Sequence, residues 1–245
     1  MKPIALGASG SFSRRAFLAG GCALSASACS SGSRPRGTGV ARKAERVEMI
    51  ELQTSVGNIR IEVRADRAPK VAGWFLKQVD ARVFDGTKFF RSGHLQGQPP
   101  RPRFLEGGAL SPFLLGENGQ RPATAADAGV PLLYDWETTE VSGLRHTRGS
   151  VSLARDITGQ GGVLPDMVIA LETVAEMDAG GGFSPQNSGF PVFGHVVAGM
   201  EIVDAIAGQP REGKTYVPFL AGQILSEPVQ IQRIVQLKAG RIGKS

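Results

Sequence analysis

The feature that most restricts this chain is a pair of alternating stretches at the two ends of its folding part. In VEMIELQTSVGNIRIEV, Val47 to Val63, the apolar residues Ile50 and Leu52, then Ile59, Ile61 and Val63, recur at every second position around a turn near Gly57. That period belongs to a half-buried β-hairpin. Near the other end, PVQIQRIVQLK sets Val229, Ile231, Val235 and Leu237 among polar residues in the same way. Two terminal strands in a mostly antiparallel chain each expose an edge unless they meet. The pattern therefore argues for a mainly β fold closed into a barrel, in which no edge remains.

Between these ends the periodicity changes. Pro69 suits the first turn of a helix, and Val71, Trp74, Phe75 and Val79 then fall on one helical face. An aromatic pair on such a face is core packing rather than a ligand platform. VFDGTKFFR, Val83 to Arg91, reads as an Asp-Gly turn feeding a buried strand that ends in one arginine. Residues 92–133 are rich in Gly and Pro, predicting surface loop with short strand pieces. MVIAL, Met167 to Leu171, reads as a buried strand, and a second short helix is expected from about Met200 to Ala207, with Met200, Val203 and Ile206 facing inward and Gly208 as its stop. The glycines at 180 to 182 match no phosphate-loop template, because neither Lys-Ser/Thr nor a helix start follows. No repeat or second folded domain is evident.

The first residues stand apart from this domain. Ser13 to Ala19, SRRAFLA, has paired arginines ahead of a short apolar stretch that ends in Ala26, Ser27 and Ala28. It looks like a twin-arginine export signal spanning residues 1–28, and the apolar run is far below the roughly 20 residues of a membrane-spanning helix. Cleavage after Ala28 leaves Cys29 first, as at the lipidation site of bacterial lipoproteins, although Ala26 stands where such signals usually carry Leu. Acylation of Cys29, anchoring the protein to a membrane, and simple secretion through the Ala-x-Ala site both remain open. Residues 29–46 read as a flexible basic tether, 47–238 as the folded domain and 239–245 as a tail. The only other cysteine, Cys22, lies inside the signal, so the domain holds no internal disulfide and relies on its core.

Charge divides along the same boundaries. Eight of the 28 basic residues precede Val47 but only one of the 22 acids, Glu45, which leaves 20 bases and 21 acids from Val47 onward. The high isoelectric point belongs to the leader and tether. Nucleic acid is thereby excluded as a partner, and a basic tether beside an anionic membrane surface is the more economical use. The three histidines, His94, His146 and His195, have no cysteine and no metal-ligand spacing around them, so no metal site is expected and all three read as satisfied structural residues.

Three segments in register carry a resemblance. Phe84, Gly86, Phe89 and Arg91 match aromatic-x-Gly-x-x-Phe-x-Arg. Gly149, Val151, Ser152, Leu153, Ala154 and Arg155 match Gly-x-hydrophobic-Ser-Met-Ala-Asn/Arg, and Phe190 to Ile206 matches Phe-Gly-x-Val-x-x-Gly-Met-x-x-Val. Together they resemble the cyclophilin-type peptidyl-prolyl cis-trans isomerases, from about Val47 to Lys238. Glu137, Thr138, Thr139, Gly143, Leu144, Arg145 and His146 look like the signature of one bacterial branch. The resemblance implies an eight-stranded barrel capped by two helices, a site on its outer wall, proline-containing polypeptides as partners, no cofactor, and a monomer of the exported cell envelope.

Carried over by position, the resemblance makes Arg91 the catalytic arginine and Ala154 with Arg155 the pair that contacts substrate backbone. Glu106 takes the family's Gln position, so an amide that donates and accepts becomes a carboxylate that only accepts. Phe104 stands at the usual Met position, Met177 at the pocket Leu and Phe190 at the pocket His. Pro165 to Ile169 aligns with Ser-Gln-Phe-Phe-Ile, which puts Met167 and Val168 in the pocket and makes Val168 its floor in place of an aromatic ring. Glu176 stands where human-type members carry the Trp associated with cyclosporin, implying weak affinity for that ligand.

The chemistry implied needs little equipment. Rotation about an Xaa-Pro bond meets a barrier of roughly 20 kcal/mol because the nitrogen lone pair is shared with the carbonyl. A pocket for the proline ring and a charged donor aimed at the prolyl nitrogen stabilise the twisted state over either planar one. Arginine suits the second role because it stays protonated and presents a rigid fork. Losing the aromatic floor costs about 1–2 kcal/mol of contact, and activity roughly ten- to thirtyfold below a strong member is expected. Two functions are therefore expected to compete: a slow isomerase of exported proteins, and a module that holds Pro-containing chains without turning them over.

Overall fold

In the computed structural model, the residues described are 47–237 apart from 98–99, 118, 120, 123 and 157–160. The signal, the tether with Cys29 and the tail lie outside the described residues. Val47–Thr54 (β1) and Gly57–Arg64 (β2) form the expected hairpin, with Ile50 opposite Ile61 and Leu52 opposite Ile59. On its other edge β1 pairs with Ile224–Leu237 (β8), so the two ends of the described chain meet. The remaining strands are Lys88–Gly93 (β3), Phe104–Gly108 (β4), Ser150–Arg155 (β5), Val163–Ala170 (β6) and Val192–Ala198 (β7). All pairs are antiparallel, and the closed order is β1-β2-β7-β5-β6-β4-β3-β8.

Alternation along each strand sorts side chains between the barrel interior and an outer layer. Leu52, Ile59, Ile61, Phe89, Leu105, Leu153, Ile169 and Phe193 fill the interior. Helix α1, Pro69–Asp80, adds Val71, Phe75 and Val79 to that core, and Phe75 packs its ring 4.5 Å from Phe193 and 5.3 Å from Phe84. Burial of such a ring contributes about 2–3 kcal/mol. A second long helix, Met200–Ala207, adds Val203, Ile206 and Ala207 to the same core. Two one-turn helices, Ser111–Leu114 and Thr139–Ser142, sit in the connections, and the strand around MVIAL begins earlier than its apolar run, at Val163.

The branch-like signature between 137 and 146 turns out to be scaffolding. The carboxylate of Glu137 accepts from the backbone N–H groups of Lys70 at 3.0 Å and Val71 at 3.2 Å, satisfying orphan donors at the start of α1. Thr138 caps the 139–142 turn through Val141 N–H, and Thr139 Oγ1 accepts from Ala179 N–H at 2.8 Å. These residues clamp the loop between α1 and the 175–179 turn, which in turn supports one wall of the site.

Candidate active site

The arginine singled out by sequence reaches the outer wall because of a bulge. Phe89 lies opposite Gly107 and Arg91 opposite Glu106, so β3 advances two residues where β4 advances one. Strict alternation would have sent Arg91 into the interior with Phe89. The extra residue, Phe90, instead packs into a small outer cluster with Leu220 and Ile224, and Arg91 emerges beside Glu106. The Asp85-Gly86 turn that leads into the strand needs positive φ, and Gly86 supplies it at +80°.

Three of the five N–H groups of the Arg91 guanidinium are held. Nη1 donates to Glu106 Oε2 at 2.7 Å, while Nε and Nη2 both donate to Gln223 Oε1, at 3.1 and 2.8 Å. The guanidinium carbon also lies 4.9 Å from the centre of the Phe104 ring, a cation–π contact. That ring crosses Gly93 so closely that a Cβ there would come within 2.3 Å of it. The other two N–H groups of the fork meet no hydrogen-bond partner among the described residues.

The fork stands at the rim of a cavity of about 510 Å³. Phe104 on β4, Val168 on β6, Met177 in the 175–177 turn and Phe190 ahead of β7 give it an apolar lining, with Ala154 and Arg155 at one side. Phe183 stacks on Phe190 with ring centres 5.8 Å apart and extends the apolar wall. A neighbouring cavity of about 360 Å³ shares Arg91, Glu106, Arg155 and Phe219 with the first. The expectation that Met167 lines the pocket is corrected. Met167 pairs with Gly107 and Leu153 and is wholly buried in the barrel interior, because neighbours on a strand point to opposite faces and Val168 takes the outer one.

Arg155 is occupied by its own protein. Its Nη1 donates to Ser188 Oγ at 2.6 Å and Gly189 O at 3.0 Å, and its Nε and Nη2 donate to Gly161 O at 3.0 and 2.7 Å. The guanidinium also stacks 4.5 Å above Trp136. Burial pulls its pKa below the usual arginine value. The side chain shapes the loops around the cavity. Behind the site Asp166 is wholly buried; Leu110 N–H donates to its Oδ1 at 3.0 Å, and Oδ2 meets no partner among the described residues. Burial first, then the charge of Glu106, pushes its carboxyl up to about 8.

The histidines do not share one fate, which corrects the expectation of three satisfied structural residues. His146 is buried and its Nδ1 lies 2.8 Å from Asp178 Oδ1, but its Nε2 has no partner among the described residues. His195 is exposed on β7. His94 lines the cavity, where burial and the charges of Arg211 and Arg91 lower its pKa, so it is neutral at pH 7. Glu176 stands outside the cavity lining and pairs with Arg103 at 2.9 Å, a contact that lowers the pKa of the carboxyl. Among the described residues no group of three or more His, Cys, Asp or Glu is gathered as a metal site would require. Sequence reasoning missed Gln223, His94, Gln96, Phe183 and Phe219, all of which line the cavity. No motif marks Gln223, which reaches Arg91 across 132 positions of sequence.

A closed antiparallel barrel with an arginine fork beside an apolar hollow on its outer wall defines a class, and sequence comparison gives the family. The family model for cyclophilin type peptidyl-prolyl cis-trans isomerase/CLD matches residues 49–235, and the chain belongs to that family. It is similar to a peptidyl-prolyl cis-trans isomerase of Acinetobacter baylyi, 30% identical over 78% of this chain and 86% of the relative. A peptidyl-prolyl cis-trans isomerase A of Dickeya dadantii is 28% identical over 75% of this chain and 81% of that protein. Among solved structures, a cyclophilin-type isomerase of Cryptosporidium parvum aligns with a TM-score of 0.51 at 13% identity, covering 78% of this chain and 98% of its own. A second structure of that protein, in the presence of the dipeptide Ala-Pro, aligns with a TM-score of 0.50 at 13% identity, covering 77% of this chain and 98% of its own.

Proposed function

We propose that this chain isomerises Xaa-Pro bonds in exported polypeptides of the bacterial cell envelope, as a monomer, at a rate below that of members with an aromatic pocket floor. The observation that carries the reading is the position of Arg91: a guanidinium with two unused N–H groups, clamped at the rim of an apolar cavity large enough for a prolyl side chain and its neighbours. The proline ring enters between Phe104, Val168, Met177 and Phe190, and main-chain groups at 154 and 155 hold the flanking peptide. As the bond twists, the prolyl nitrogen loses conjugation and becomes a hydrogen-bond acceptor. A donor preorganised at that point stabilises the twisted state more than the planar ones, without nucleophile, metal or cofactor.

Two features support a low rate. Val168 presents less surface to the ring than a phenylalanine, and the Glu106 carboxylate, 2.7 Å from Nη1, offsets part of the charge the nitrogen would meet. The same carboxylate favours the second reading, a module that holds Pro-containing chains without turnover. An isomerisation assay on Xaa-Pro peptides, run beside Arg91→Ala, separates the two. The isomerase reading expects measurable wild-type catalysis and a loss of roughly a hundredfold in the variant, on the scale of other preorganised donors. Wild type equal to buffer, with peptide binding retained, would establish the holding module instead.

A further inference from the structure

We propose that Gln223 is a positioning residue for the reaction: it fixes the orientation of Arg91 and does so without neutralising it. The inference rests on the isomerase reading above, which makes Arg91 the donor to the prolyl nitrogen.

Gln223 lies between the short 3-10 turn Pro218–Leu220 and the start of β8, and is 4% exposed. Its amide cannot turn freely. Nε2 donates to Phe219 O at 2.9 Å, which directs Oε1 toward the site. There Oε1 meets three donors: Nε and Nη2 of Arg91 and the backbone N–H of His94 at 3.1 Å. Reversing the amide would set an NH₂ group against all three and lose the bond to Phe219, so the environment admits one orientation. The main chain is held as well, since Ser92 N–H donates to Gln223 O at 2.9 Å.

One oxygen accepting from Nε and Nη2 grips the guanidinium along its side edge and sets the plane of the whole fork. Glu106, on Nη1, cannot do this alone, because a single contact at one nitrogen leaves the plane free to swing. The chemistry of the two acceptors also differs. Glu106 brings a full negative charge to Arg91, whereas the Gln223 amide brings only a dipole, so Gln223 orients the donor and leaves its charge available to the substrate. The resemblance implies a neutral amide at position 106, and this chain has a carboxylate there; Gln223 supplies the amide contact from the opposite side of the arginine.

The test uses the full chain and the variants Gln223→Met, which keeps the length of the side chain but removes both polar atoms, and Gln223→Glu, which keeps an acceptor oxygen. Gln223→Met is expected to lower kcat/KM on an Xaa-Pro peptide at least tenfold, mostly in kcat with KM little changed, because the donor is lost only where charge develops. In an Arg91→Ala background the same substitution is expected to cost nothing further, since Gln223 acts through that side chain. A second readout is independent of turnover: the Nε–H resonance of Arg91, identified by its loss in Arg91→Ala, is expected to be slow in solvent exchange in wild type and in Gln223→Glu, and fast in Gln223→Met. Slow exchange retained in Gln223→Met, or a cost that persists undiminished without Arg91, overturns the proposal. Should wild type prove inactive, the isomerase reading fails, while the resonance still decides whether Gln223 holds the fork.

Discussion

Asp166 offers the sharpest test of the electrostatics behind the site. Its carboxyl is wholly buried and is pushed up to about 8 from an ordinary 3.8, by burial first and by the Glu106 charge second, while backbone N–H groups of Leu110 and Ala109 pull the other way. A folded-state pKa above the unfolded one means that the group's contribution is fully present below about pH 4 and is lost as pH rises toward 8. The loss accrues at about 1.4 kcal/mol per pH unit, so over the 3.2 units from 3.8 to 7 it reaches about 4 kcal/mol. Asn is nearly the same shape, keeps an acceptor for Leu110 N–H, and does not ionise. Asp166→Asn is therefore expected to match wild type near pH 4 and to be more stable by about 4 kcal/mol at pH 7, with a larger gap at pH 9. Urea unfolding of both proteins at pH 4, 7 and 9 measures this, and the difference between them cancels every titrating group that is not coupled to Asp166. Parallel pH profiles for the two proteins would refute the reasoning, because they would mean that Asp166 ionises at the same pH whether the chain is folded or not.

Two further outcomes follow from the site and from the leader. Val168→Phe, which restores an aromatic floor to a cavity of about 510 Å³, is expected to raise kcat/KM by about five- to thirtyfold, the equivalent of 1–2 kcal/mol of ring contact; a decrease would show that the cavity is already filled by its own lining. Mass spectrometry of the mature chain recovered from the cell envelope is expected to find Cys29 first, with an added acyl mass if it anchors the protein and none if the protein is freely secreted. A chain that still begins at Met1 would remove the export half of the proposal.

Much of the fold was legible because it depends on period and closure. Ile50, Leu52, Ile59 and Ile61 alternate, the C-terminal stretch alternates, and a sheet with two such ends has few ways to bury both. Arg91, Phe104, Glu106, Ala154, Val168, Met177 and Phe190 came from the family resemblance, carried over by position, and the structure gathers them around one cavity. Met167 was misplaced because an aligned pair of neighbours cannot both face a pocket from one strand, and sequence matching carries no information about which face is outer. The position of Arg91 itself depends on the extra residue Phe90, a bulge visible only once β4 is paired beside β3. Gln223 was illegible for a different reason: the partners that tie it to the site, His94 and Arg91, are 129 and 132 residues away, and nothing local distinguishes it from any other glutamine ahead of a strand.

These pieces bear on one another through charge. Arg91 faces one carboxylate directly, and a second, Asp166, is buried close enough to Glu106 for the two to repel. Were both ionised, the wall behind the fork would carry more negative charge than Arg91 supplies, and the donor proposed for the prolyl nitrogen would be weakened. Burial keeps Asp166 protonated up to about pH 8, so at neutral pH the arginine is opposed by Glu106 alone and oriented by an uncharged amide on its other edge. The desolvation that costs the barrel stability at Asp166 is thus the same effect that preserves the field of Arg91.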